Sequence, residues 1–219
     1  MSDHIVWIVL FPLLGGVACS LFGNFSKKIC YPLAVGSMIA SVWSSVHTLF
    51  QAIESPLHQV SYIQGGWTLD LFPRGVGIEF RADLLGALIT LVVTGVGLIV
   101  VLYSKVPVQR QTPGKEPLYY TLFLLQITGL AGITLTGDAF NLYVLIEVAA
   151  LTGYGLIAIG SNRAAAATFN YLILGTIGAS LYLLGVGYLY IKTGTLNMVG
   201  IREVIEANGL SDSATMQVA

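Results

Sequence analysis

The chain has 219 residues, 55% of them hydrophobic and 10% charged, with a formal net charge of −1 at pH 7 and a mean hydropathy of +0.80. A soluble domain carries about 25% charged residues, so this chain cannot cover a water-facing surface and reads as an integral membrane protein. Its near-neutral charge offers no footprint for nucleic acid.

A helix needs about 20 mostly apolar residues to cross the hydrocarbon core. Six segments meet that length: residues 5–25, 29–52, 84–103, 118–136, 139–160 and 164–191. The sequence thus predicts an all-α membrane protein, a single transmembrane domain of about six helices over residues 1–219. No Lys or Arg precedes the first segment. It therefore lacks the positive flank of a signal peptide and is expected to stay as a span. Cys19 and Cys30 lie in or beside apolar segments and read as small buried residues, not as a disulfide or metal framework. Residues 57–81 are too polar to span. They alternate loosely around Pro73, Arg74 and Gly75, which predicts a small hairpin or loop between helices 2 and 3. The sixth segment is long enough to tilt or bend, and its glycines at 175, 178, 185 and 187 permit close helix approach. Residues 192–219 form a tail. Its stretch 199–206 is amphipathic and suited to an interface, and Ser211 to Ala219 resembles a cap followed by the first turn of a further helix.

Alternating the loops places Lys27, Lys28, Lys105, Arg110, Lys115 and Arg163 on one side, with Glu116 as that side's acid. The other side holds Arg74, Arg81, Lys192 and Arg202 among a larger set of acids running from Asp3 to Asp212. Basic loops remain cytoplasmic, so the protein is expected in the cell membrane with both termini on the outer or periplasmic side.

One residue breaks the apolar pattern of the fifth segment. Glu147 sits near its middle, where a carboxylate costs roughly 2.5–3.5 kcal/mol on insertion scales. An intramembrane ionisable residue is by default a proton or ion site; the bland alternative is a neutral carboxyl bonded to a neighbouring helix. Tyr143 and Tyr154 share its helix face and could hydrogen-bond it or hold a water chain. No Lys or Arg occupies the central third of any predicted helix, so a cation for Glu147 would have to come from another chain. Asn170, beside Tyr171, reads as interhelical glue ahead of a pathway residue. His47 reads as a satisfied structural group ahead of a proton relay. Asp138 fits the N-cap of the fifth helix, and Lys192 is expected to snorkel. There is no Walker loop, dinucleotide fingerprint, iron–sulfur cysteine cluster or haem histidine pair. No catalytic residue, cofactor or metal is therefore expected, nor enzymatic activity by the chain alone.

Three stretches stand out: residues 137–147 (GDAFNLYVLIE), 170–178 (NYLILGTIG) and 184–198 (LGVGYLYIKTGTLNM). On these above all, and over the whole chain including the outer hairpin before Arg81, it resembles the antiporter-like membrane subunits shared by Mrp cation/proton antiporters, respiratory complex I and membrane-bound hydrogenases. The first stretch and the TGTLNM ending look most similar to the D-type subunit of the Mrp antiporters. The resemblance implies an ion-translocating membrane subunit of a multisubunit antiporter or complex-I-like proton pump. Its partners would be other membrane subunits, protons and, in the antiporter case, sodium. It also implies that Glu147 takes part in proton translocation, with Tyr143, Tyr154, Asn170 and Tyr171 as supporting candidates. The family commonly has Lys where this chain has Asn170, which removes a cation from the region. The family's broken helices, its seventh-helix lysine and its second inverted repeat would fall beyond Ala219. The chain is accordingly expected to be the N-terminal half of such a subunit: a split subunit, a degenerate paralogue or an incomplete reading frame. The competing reading is a non-transporting structural or assembly subunit beside a full antiporter subunit. A stand-alone channel is disfavoured by the single buried acid.

Overall fold

The computed structural model describes residues 4–23, 26–64, 77–160 and 163–208. Six of its helices are long and apolar enough to cross a membrane. They are α1 (His4–Phe22), α2 (Lys27–Glu54), α3 (Leu84–Gln111), α4 (Glu116–Leu135), α5 (Ala139–Ala158) and α6 (Ala164–Thr193). A shorter α7 (Met198–Asn208) follows. The protein is a multi-span, all-α membrane bundle.

Strands β1 (Gln59–Ile63) and β2 (Glu79–Asp83) pair antiparallel between α2 and α3, with Val60 opposite Ala82 and Tyr62 opposite Phe80. Alternation explains the pairing: Val60, Phe80 and Ala82 point inward onto Ile5 and Ile8 of α1 and Leu135 of α4. The turn expected at Pro73 to Gly75 lies outside the described residues.

One boundary differs from expectation. The polar residues after Tyr103 predict a loop, yet α3 continues to Gln111. Lys, Gln and Arg are good helix formers. A helix that has crossed the apolar layer gains a backbone bond for each residue it adds. Pro107 lacks an N–H and is nonetheless accommodated within this extension.

Lipid tails are as apolar as leucine, so membrane helices associate through close packing and hydrogen bonds rather than hydrophobic drive. Both devices hold α1 to α4 together. Gly97 of α3 leaves room for Met38 of α2 and Ile127 of α4, whose side chains crowd the place where a Cβ would sit. A line of buried hydroxyls runs through the same bundle. Ser41 donates to the Ile8 carbonyl (2.8 Å), Thr94 to Ser45 (3.1 Å), and Thr90 meets Thr134 at 2.6 Å. Cys19 and Cys30 are free thiols buried in the same bundle, each directed at the other's backbone carbonyl.

Candidate functional site

The site is built from the start of α5. Asp138 caps that helix, its carboxylate accepting from the Asn141 amide at 2.7 Å. Asn141 in turn donates through Nδ2 to the Thr136 hydroxyl at 2.9 Å. The loop between α4 and α5 is tied on both sides. The Gly137 amide donates to the Glu79 carbonyl of β2 (2.8 Å), and the Gly137 carbonyl accepts from the Met198 amide (2.9 Å). Asn197 closes the weave: its Nδ2 donates to Glu79 at 2.6 Å, while its Oδ1 accepts from the Val199 and Gly200 amides and so caps α7. The sharp corner before it needs Gly194, whose φ of +70° ends α6. Burial pushes the Asp138 carboxyl up from its ordinary value, against the pull of the backbone amides of Asn141 and Phe140.

This cap fixes how α5 presents its two faces. One face carries Leu145, Ala149 and Thr152 and is sealed against α4. A Cβ at Gly129 would come within 2.8 Å of the Ala149 nitrogen. Thr152 donates to Gln126 of α4 at 2.8 Å. The opposite face carries Tyr143, Glu147 and Tyr154, as helical spacing predicts. Glu147 is half-buried there. Among the described residues it accepts no hydrogen bond and has no cation within 4 Å; the ion pair they contain is Arg202–Glu206, exposed on α7.

Tyr154 joins this face to α6. Its ring meets Tyr171 edge-on, centroids 4.9 Å apart, and its hydroxyl lies over Gly175, where any side chain would collide with it. Tyr182 of α6 donates to the Ala139 carbonyl at 3.0 Å. Asn170 is exposed and makes no hydrogen bond among the described residues; between α4 and α5 an interhelical bond is made by Gln126 and Thr152. The same rule about neutral amides in membrane helices applies to Gln126, which sits mid-span in α4. His47 is not the satisfied lone group expected either. It stacks on His4 (centroids 4.2 Å), with its Nδ1 buried and unpartnered among the described residues. Lys192 is exposed in the last turn of α6.

Residues 136–219 match the family model described as "NADH:quinone oxidoreductase/Mrp antiporter, TM". The chain is 36% identical over 202 residues to the N subunit of the NADH-quinone oxidoreductase of Desulforudis audaxviator, covering 92% of this chain and 39% of that protein. Over residues 136–219 the chain thus matches this antiporter-like family of membrane subunits. It is also 29% identical over 219 residues to the D subunit of the Na(+)/H(+) antiporter of Bacillus subtilis, covering 99% of this chain and 42% of that protein. Among solved structures it superimposes on a chain of the membrane-bound sulfane sulfur reductase, an archaeal respiratory membrane complex. The TM-score is 0.84 at 28% identity, covering 98% of this chain and 42% of that one. The chain thus spans about two fifths of the length of the curated relatives it matches.

The family match begins at Thr136, so it takes in the woven cap, α5 with Glu147, and α6. Within the matched motifs the residues divide by role. Gly137, Asp138, Asn141, Gly194 and Asn197 build the cap. Glu147 takes no part in it.

Proposed function

We propose that the chain is an ion-translocating membrane subunit of a multisubunit cation/proton antiporter or complex-I-like proton pump, and that Glu147 carries the proton. The observation that supports this most is the setting of Glu147. It is half-buried inside a membrane helix, on a face shared with two tyrosines, and it has no cation of its own among the described residues. A carboxyl held so is free to exchange a proton with a group supplied from outside the described residues. Tyr143 and Tyr154 flank it one and two turns away and would position water or hold its hydrogen bond; Tyr171 would fix the Tyr154 ring. Asn170 lies off this contact, exposed on α6, and would serve a neighbouring subunit. The proposal includes a position in the cell membrane with both termini outside. Its partners would be other membrane subunits, protons and, in the antiporter case, sodium.

The same lack of a partner for Glu147 favours a second reading, a scaffold subunit in which the carboxyl stays neutral. The two separate in inverted vesicles holding the assembled complex. On the first reading Glu147→Gln assembles normally and proton and cation flux falls by at least tenfold. Unchanged flux with normal assembly would leave the scaffold reading standing.

A further inference from the structure

At the end of the bundle opposite the hairpin, a cavity of about 760 Å³ opens between α2, α3 and α4. It is lined by three basic residues, Lys27, Lys28 and Lys105, with Gln109 and one acid, Glu116. Lys105 holds its Nζ 5.0 Å over the Tyr31 ring. Tyr120, 3% exposed, closes the floor, with its hydroxyl taken by Ser104 at 3.5 Å. None of the three lysines forms an ion pair among the described residues, and Glu116 keeps its Oε2 buried without a hydrogen-bond partner. Two helices, α2 at Lys27 and α4 at Glu116, begin at this cavity. Their free amides and dipoles add to the positive field, offset in part by the C-terminus of α3 at Gln111.

Three cations against one anion ask for a negatively charged occupant. The unpartnered carboxylate oxygen asks for a donor on that same occupant, a few ångströms from its charge. A bare phosphate can offer Glu116 only a P–OH on the very group that carries the charge, with no separate donor a few ångströms away; a choline headgroup has no donor to give it. Phosphoglycerol supplies both, with phosphate oxygens for the lysines and a glycerol hydroxyl for Glu116. The place fits as well. Lys27 opens α2, Glu116 opens α4 and Lys105 lies in the last turns of α3, which is the level where spanning helices leave the hydrocarbon. Basic pockets between helices at that level suit anionic headgroups. We propose that this cavity is a binding site for an anionic phospholipid with a glycerol headgroup, held by Lys27, Lys28 and Lys105 through its phosphate and selected by Glu116 through its hydroxyl. The proposal is independent of the role given to Glu147.

The test uses the full-length protein in neutral detergent. Bound lipid is read by native mass spectrometry and stability by thermal unfolding. Phosphatidylglycerol, phosphatidic acid, phosphatidylcholine and inorganic phosphate are titrated in parallel. Phosphatidylglycerol should be retained and should raise the unfolding midpoint more than the other three. Each lysine changed to Gln should weaken it about fivefold, and the triple Lys→Gln variant should lose it, while the triple Lys→Arg variant keeps it and controls for folding. Glu116→Leu should abolish the preference for phosphatidylglycerol over phosphatidic acid without abolishing binding. Equal stabilisation by phosphatidylcholine overturns the proposal. So does an equal effect of inorganic phosphate, which would mean an adventitious ion only, and so does retention by the triple Gln variant.

Discussion

Helices α1 to α4 and the α5–α6 pair are assembled by different means. Each of the first four packs against at least two others of the group, and hydroxyls cross-link the interior at Ser41, Ser45, Thr90 and Thr94. By contrast α6 packs mainly on α5, with α7 across its end. It buries only Ala179 and Val186 and turns Leu174, Leu181 and Ile191 outward. Glu147 lies at the junction between the two constructions, on the α5 face turned away from the α1–α4 bundle. α5 is sealed against α4, whereas α6 is held chiefly by α5. Low contact density is also where local motion concentrates.

Glycine substitutions give the sharpest contrast. Gly129→Ala puts a methyl against the Ala149 backbone, which cannot turn aside as a side chain could. Overpacking of this kind costs about 3 kcal/mol. Gly178→Ala on α6 meets nothing within 4 Å and should be neutral or stabilising by up to about 1 kcal/mol, the ordinary helix preference for Ala. Thermal unfolding in detergent should show the first variant well below wild type and the second at or above it. Equal effects would mean that α6 is as tightly held as α4.

The α5–α6 seam is tested by a pair. Gly175→Ala collides with the Tyr154 ring and should cost about 2 kcal/mol. Tyr154→Phe removes the hydroxyl that is struck first. The double variant should recover at least half the loss, a coupling that a cycle of the four proteins measures directly. Additive losses would place the seam elsewhere.

How much of this was legible beforehand differs by residue. The spans showed because an apolar run of bilayer length rarely serves anything but a membrane crossing. Glu147 showed because it is charged, and Tyr143 and Tyr154 because they repeat at helical spacing. The hairpin showed in the alternation of Val60, Phe80 and Ala82. The polar end of α3 did not, since Lys105, Gln109 and Arg110 look like loop residues until a helix is seen to carry them. Ser41 and Thr94 did not either, because hydroxyls barely alter hydropathy and can satisfy themselves on their own helix. The stacking of His4 on His47 and the pairing of Gln126 with Thr152 join distant parts of the chain. A single sequence does not encode such contacts locally.

The cap that holds α5 in place is held by several bonds at once. Asn197→Ala severs the bond to Glu79 and uncaps α7 together. A lost cap costs about 1 kcal/mol and a bond to a charged acceptor about 1.5 kcal/mol or more. A total of about 2.5 kcal/mol is expected, with Asn197→Asp recovering only the capping part. Hydrogen exchange should speed up first in α7 and in the loop at Gly137. Loss confined to α7 would show that the weave adds nothing to α5.

The smallest effect expected is in pH dependence, and it tells the cap from the seam. Burial raises the Asp138 carboxyl above its ordinary 3.8, so the folded protein holds this proton to higher pH than the unfolded chain does. Stability from that proton is therefore fully present below the ordinary aspartate range and is lost as pH rises through the raised value. Asp138→Asn keeps an oxygen to accept from the Asn141 amide but cannot ionise. Its unfolding midpoint, followed from about pH 3 to about pH 7 in detergent, should fall less with rising pH than that of wild type. Tyr154→Phe, on the seam, should run parallel to wild type over the same range. If Asp138→Asn also runs parallel, Asp138 is hydrated rather than buried, and the cap is looser than its hydrogen bonds imply.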